Sequence, residues 1–570
     1  MACSVMLRLS KHGIATVLRQ AQDDMRWGGR KAFFKIMLFL ALPLFVACTR
    51  AELGSNAMRH AWTIPGTLRW ADGEDVDNLN PMLSTETLVN DLSSFTMGYF
   101  FKFDEKNSPV PDLCIEVPTQ ANHDISADGK AITFKLRKNV LWHDGAPFTS
   151  VDVAFTVKTI LDPRTNVLSR HGWEEIERVA TPDAHTVVFH LKRPFAPFMN
   201  IFFTPVGNPA ILPAHILAGK DVNHATYNSL PVGLGPFKYV RWSRGSEVVM
   251  EAFDRWWGGK PKLRRVVFKV IPDANTLLTQ LQTHEIDAYV RVASSHWQRV
   301  AKSPDTRTAG YDTTSYGHVD FNLENPALKD VRVRRALSYA IDKRLLWDKV
   351  DHQSGHLDWT PISHLNWAYD GNAPRYPFDL RKASRLLDEA GWKLGTDGLR
   401  HKAAQVLRLV FVGNTGNPGL DARVLLIQGW YKQVGVALEY LRYPTNKLFA
   451  SYAGGGIVAN RKYGLASYAW SLAPEPDPTN IIACSAISPK GQNYMAYCNP
   501  QVDRLLTDAV LHYDRERRRK DLIEVQELLG KDEPFVVLTQ RTDHLTYNDN
   551  FKGINPGPSM IFWNPQSISN

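Results

Sequence analysis

The chain has 570 residues, with 67 Lys+Arg against 58 Asp+Glu and a hydrophobic share of 44%. This is too long for one compact domain of the usual ~100–200 residues, and too evenly mixed for a disordered, collagen-like or multi-span membrane chain. Five cysteines in such a length exclude a disulfide-dense scaffold.

The first residues speak to compartment. Ile36 to Ala47 form an apolar run shorter than the roughly 20 residues a spanning helix needs. Arg26, Arg30, Lys31 and Lys35 precede it and Ala47 stands before Cys48, the basic, apolar and small order of a secretory signal. Leu44-Phe45-Val46-Ala47-Cys48 resembles a bacterial lipobox, with Phe45 where leucine is usual. That resemblance implies a lipid on Cys48 and export to the periplasm or the outer face of the cytoplasmic membrane. Met25 directly precedes the basic cluster, so residues 1–24 read as an upstream misassignment of the start, 1–47 as signal region and 48–63 as tether. Five of the nine net positive charges lie before Cys48, so the basic balance is mostly export signal and gives no argument for nucleic-acid binding. Cys484 and Cys498 flank one short loop and, in an oxidising compartment, are expected to be bonded, leaving Cys114 as the odd thiol.

Along the exported part, Ile132, Phe134 and Leu136 alternate, as do Val187, Phe189 and Leu191, which predicts strands. Further strands are expected at 236–242, 247–253 and 265–271, and helices at 151–161 and from Thr276. Beyond residue 330 amphipathic helices take over. One is expected over 331–346, with Ala336, Leu337, Ala340, Ile341 and Leu345 on one face, and one over 380–390 with Gly391 as its C-terminal cap. Two more, over 502–510 and 523–530, precede an apolar strand at 534–540. The pattern is that of an α+β chain, β-richer first and more helical later.

Signatures of catalysis are missing. No Gly-x-Ser-x-Gly elbow occurs, Gly258-Gly259-Lys260 continues into Pro261 rather than Ser or Thr, and Gly454-Gly455-Gly456 reads as a loop. His171, Glu174 and Glu175 lack zincin spacing and read as a solvated surface. Arg515 to Lys520 read as a charged helix face, and Trp256-Trp257 as core and turn packing. No catalytic residue, metal or cofactor is expected, and ligand capture becomes the leading role for an exported chain of this size.

Several segments resemble the family 5 bacterial solute-binding proteins, the dipeptide-, oligopeptide- and nickel-binding components of ABC importers. They are VDNLNPMLST at 76–85, the stretch at 128–163 with Leu136-Arg137-Lys138 and His143-Asp144-Gly145, PVGLGPFKYVRW at 231–242 with 252–288, the stretch at 319–343, and CSAISPKGQNYMAYCNPQVDRLL at 484–506. The last resembles a loop that carries a disulfide in dipeptide-binding relatives. The resemblance implies a two-lobed periplasmic-binding-protein fold, α+β / α/β, of the class II, cluster C type. Its first lobe would comprise 64–97, 232–312 and 534–570, with a β-rich subdomain inserted at 98–231 and a second lobe at 313–533. The chain would cross between lobes near Asp312–Tyr316 and again near Pro534.

The same resemblance implies a site. Its expected residues are Thr85, Glu86 and Thr87 on the first lobe, Tyr316 at the crossover, and Tyr468, Ala469, Trp470, Ser471 and Ala473 on the second, with Trp470 matching the family's pocket tryptophan. Ala473 stands where relatives place the aspartate that pairs with a peptide ammonium, Asp477 is displaced by several residues, and no arginine occurs near Gly416–Asn417 to meet a dipeptide carboxylate. Burying an unpaired terminus costs several kcal/mol, so an ordinary dipeptide is not the expected ligand. The implied role is capture of a peptide-like solute for a membrane permease and its ATPase, by a monomer anchored through lipid. A receptor for a signalling partner and a secreted enzyme on the same scaffold are the alternatives.

Overall fold

The computed structural model describes residues 60–570 apart from Thr85, 168–169, 206–208, Ser294, Ser451 and Ala453. Cys48 and the signal region lie outside the described residues.

An eleven-stranded mixed sheet runs through the body of the chain. Its strands, in chain order, are β1 (Thr67–Asp72), β2 (Phe237–Ser243), β3 (Glu247–Ala252), β4 (Arg265–Val270), β5 (Ala288–Tyr289), β6 (Thr306–Phe321), β7 (His356–Leu357), β8 (Arg408–Asn414), β9 (Ala437–Tyr443), β10 (Leu465–Ser471) and β11 (Phe535–Asn548). Across the sheet the order is β9-β8-β10-β6-β11-β5-β1-β4-β3-β2, and β7 pairs with β11.

Two cores flank this sheet and make the fold two-lobed. On the β1 side Trp70, Phe237, Phe268 and Phe562 pack with Leu88, Leu92 and Phe95 of the helix Thr87–Thr96, which recur at helical spacing. Gly233 seats the end of that helix: a Cβ there would fall 2.0 Å from the Thr96 carbonyl oxygen, so no side chain fits. On the β8 side Phe321, Leu337, Phe411, Val424 and Tyr431 form the second core. A third core, rich in rings (Phe100, Phe134, Trp173, Phe189, Phe202), fills the space around a three-stranded sheet of Ala131–Lys135, Thr186–Leu191 and Ile176–Asp183. It meets later parts of the chain where the Tyr513 hydroxyl donates to the Gly129 carbonyl at 3.1 Å and the Glu475 N–H donates to Asn200 at 2.9 Å.

Only β6 and β11 are long enough to serve both lobes, with 16 and 14 residues. They pair antiparallel in two blocks, Thr306–Asp312 with Thr542–Asn548 and Tyr316–Asp320 with Phe535–Gln540. Between the blocks Thr313, Thr314 and Ser315 face Arg541 alone, a bulge that breaks the ladder and bends it.

The periodic segments fold as elements close to their expected limits, with three corrections. The run 331–346 is two helices, Val331–Tyr339 and Lys343–Lys349, because the Asp342 carboxylate accepts from the Leu345 N–H and starts a new helix. The helix expected from Thr276 begins at Ala274, capped by Asp273. The strand expected to end at 540 continues to Asn548 through polar residues.

Cys484 and Cys498 are bonded, and Cys114 is free and buried. A loop of this size is worth about 3 kcal/mol by the chain-entropy estimate, so Cys484→Ser with Cys498→Ser should lower the urea midpoint, measured by fluorescence, and reduction of the parent chain should do the same.

Glu533, in the left-handed region at φ 45°, accepts from the Ser338 hydroxyl at 2.7 Å. Burial pushes its carboxyl up to about 7, against the pull of Ser338 and Lys343. The folded chain therefore holds a proton that the unfolded chain, titrating near ~4.3, has released, and stability falls as pH rises across that window. Glu533→Gln should flatten this slope in melting curves taken from pH 4.5 to 7.

Candidate functional site

The bulge forms the floor of a polar cleft between the lobes. One cavity of about 340 Å³ is lined by Thr87, Asp91, Arg291 and Tyr311 on the first-lobe side and by Ser315 and Ser471 on the other, with Arg541 and Asp543 between them. A neighbouring cavity of about 370 Å³ shares Arg291, Arg541 and Asp543 and adds Asp351, Asn417, Arg423, Tyr468 and Ala469. The shared residues make these two compartments of one cleft. Thr313 fixes the bulge, its hydroxyl donating to the Arg541 carbonyl at 3.1 Å and accepting from the Ser315 N–H at 3.2 Å.

Charge in the cleft is balanced locally. Arg291, held at φ 50° just past β5, reaches Asp91 and Asp72 at 2.5 Å each. Burial works against its charge, but the two carboxylates outweigh it and push the guanidinium further up from its ordinary value. Arg423 meets Asp351 at 2.7 Å and Arg541 meets Asp543 at 2.9 Å. Asn417 caps the helix Pro418–Gln433 by accepting from the Leu420 N–H, so that helix delivers Arg423 to the cleft one and a half turns after a position where the sequence has no arginine.

The central second-lobe strand keeps one edge available. β10 is paired with β6 along Leu465–Ser471 but with β8 only at Leu465 and Ala466. From Ser467 to Ser471 its second edge has no strand partner among the described residues. Along it Ser467, Tyr468 and Ala469 line the second compartment and Ser471 the first, whereas the ring of Trp470 stacks on Tyr494 at 6.1 Å and meets Tyr468 edge-on at 5.7 Å.

The sequence-expected residues thus divide. Thr87 and Ser471 share one compartment, and Tyr468 and Ala469 line the other. The Tyr468 hydroxyl donates to the buried Asp320 carboxylate. Trp470 is half-buried and lines neither compartment. Tyr316, opposite Trp470 in the ladder, is 1% exposed and packs against Phe535 and His318, so it belongs to the core behind the strand. Glu86 accepts from the Asp77 N–H at 3.2 Å, and Ala473 lies past the end of β10. Thr85 is outside the described residues. Two nearby acids are engaged elsewhere: Glu475 with Arg515 and Arg518, both at 2.8 Å, and Asp477 with His171 at 3.2 Å. His171 and Glu175, expected on a solvated surface, are partly buried and separately paired, Glu175 with Arg193.

Residues 109–491 match the profile of the bacterial extracellular solute-binding proteins, family 5. The chain belongs to that family. It is similar to the oligopeptide-binding protein AppA of Bacillus subtilis, 26% identical over 94% of this chain and 98% of the relative. It is also similar to protein XP55 of Streptomyces lividans, 30% identical over 74% and 75% of the two chains. The solved structure of B. subtilis AppA with a nonapeptide superposes with a TM-score of 0.77 at 27% identity, covering 89% of this chain and 99% of that one. NikZ of Campylobacter jejuni with Ni(L-His) gives 0.77 at 26% identity, covering 89% and 100%. The two-lobed solute-binding fold expected from the sequence motifs is therefore the fold of this chain.

Sequence reading of the family 5 motifs missed most of the charged lining. Arg541 and Asp543 alternate with Gln540, Thr542 and His544 on β11, and charges at every second position of a strand signal one wet face. Arg291 follows the two-residue strand β5 and carries no such signal. Removing it would strand two buried carboxylates, so Arg291→Met should cost about 3–5 kcal/mol of stability. Arg541→Ala, on a half-exposed pair, should stay within about 0.5 kcal/mol. Chemical denaturation of both variants checks the contrast.

Proposed function

We propose that this protein is the solute-capturing component of a peptide-type ABC importer, which closes its lobes on an extended, peptide-like ligand and delivers it to a membrane permease and ATPase. The observation that carries this reading is the open edge of β10 beside two polar compartments. A ligand backbone laid along Ser467–Ser471 gains main-chain hydrogen bonds whatever its sequence, while alternate side chains enter the compartments. AppA of Bacillus subtilis, similar in fold, is solved in complex with a nonapeptide.

On this reading the lobes divide at 312/313 and 533/534, the bulge of β6 is the hinge, and closure is a population shift set by ligand contacts to both lobes. Trp470 contributes by propping β10 from behind, through Tyr494, while Ser471 and Thr87 meet ligand. Lipid on Cys48 would hold the protein at the outer face of the membrane. The role is binding rather than catalysis, in keeping with membership of a solute-binding family. Because Asp91, Asp351 and Asp543 already neutralise the three arginines, and Ala473 provides no ammonium partner, peptides long enough to make several backbone contacts should be preferred to dipeptides.

Thermal-shift titration with dipeptides and with peptides of about five to nine residues tests this, since stabilisation follows ligand concentration relative to Kd. Longer peptides should stabilise saturably and dipeptides little. Ser471→Trp, which fills the first compartment from an exposed position, should weaken peptide binding about tenfold or more, a loss of ~1.4 kcal/mol, without lowering the ligand-free melting temperature. Equal stabilisation by unrelated dipeptides would overturn the length preference, and unchanged affinity of Ser471→Trp would remove the β10 edge from the site.

A further inference from the structure

Three ligand-type side chains converge beside the bulge, none of them a lining residue of either compartment. Asp312 ends the first block of the β6–β11 ladder, opposite Thr542. His356 lies on β7, which is paired to β11 at Gln540, and His364 follows in the loop beyond. The Nε2 atom of His356 is 3.1 Å from each oxygen of Asp312, and that of His364 is 3.3 Å from Oδ2. The three donor atoms lie within 4.8 Å of one another. Other Asp–His pairs occur, such as His215 with Asp144 and His401 with Asp397. Among the described residues, this is the only group of three or more His, Cys, Asp or Glu side chains so arranged.

We propose that Asp312, His356 and His364 form a binding site for a divalent transition-metal ion of borderline softness, of which Zn²⁺ is the probe. Bonds of 2.0–2.1 Å in a tetrahedron place neighbouring donors about 3.3–3.4 Å apart, and both imidazole-to-carboxylate distances already fall near that value. Two imidazoles and one carboxylate suit zinc, nickel or copper and leave a fourth position for water. The Thr542 hydroxyl donates to Asp312 Oδ1 at 2.5 Å, an outer contact of the kind that orients a metal-binding carboxylate. His356 is exposed and the other two are partly so, giving an ion a way in. In the sequence the three are separated by 43 and 7 intervening residues, which matches no metal motif and explains why no metal was expected.

The location gives occupancy a structural effect. Asp312 belongs to the ladder block of the first lobe, while the segment that carries His356 and His364 packs through Ile362 into the second-lobe core around Leu522 and Val537. A bound ion would tie the two across the bulge.

The test is calorimetric titration of the chelator-stripped full chain with Zn²⁺ alone, followed by Co²⁺ absorption spectroscopy. One equivalent of Zn²⁺ should bind saturably at micromolar metal and raise the melting temperature. His356→Gln, His364→Gln and Asp312→Asn should each weaken it about tenfold or more, and His401→Gln, at an ordinary Asp–His pair, should not. Co²⁺ should give the visible bands of a low-symmetry site, which a hydrogen-bonded Asp–His cluster cannot produce. Absence of saturable binding, or binding that survives all three substitutions, would overturn the proposal. Because no peptide is present, the outcome is independent of the proposed transport role.

Discussion

Everything about this chain depends on one interrupted ladder. β6 and β11 are the members of the sheet that belong to both lobes, and their hydrogen bonding stops where Thr313, Thr314 and Ser315 confront Arg541. A continuous ladder there would be a stiff beam, with its side chains committed to two packed faces. The break frees backbone and side chains to line a cleft and concentrates bending at a few residues, which is how hinge motions are accommodated. The cleft exists because the sheet is imperfect at its centre.

The electrostatics follow from the same geometry. A cleft between two cores is partly dry, so lone charges in it are costly. Each of the three arginines is met by a carboxylate, and Arg291 is met by two. The result is a surface rich in hydrogen-bonding groups yet with no net demand for a charged ligand.

How much of this was legible in the sequence depends on the range of the interaction. Alternating or helical periodicity reports local burial, and the strands at 131–137, 186–192 and 265–271 were plain from it. So was the helix at 151–161. The break at Asp342 was missed because capping by one aspartate competes with a face that reads as continuous. The site divided along the same line: Ser471 and Ala469 could be found from a motif on one strand, whereas Arg291, Asp91 and Asp72 come together from three separate segments. Tyr316 and Trp470 carry motif resemblance, but they lie opposite each other in the ladder and neither lines a compartment. One residue of offset decides which face a side chain joins.

The position of β11 has a consequence for how the molecule is assembled. The strand that lies between β6 and β5, near the middle of the sheet, is drawn from residues 535–548 of 570. Until it arrives, β5 and β6 present open edges and neither half of the sheet is complete. A polypeptide truncated before Phe535 would hold most of its apolar residues yet be unable to close either core, and its pairings span hundreds of residues, which makes them slow to form. Closure of both cores thus waits on a segment that follows every other strand of the sheet in sequence.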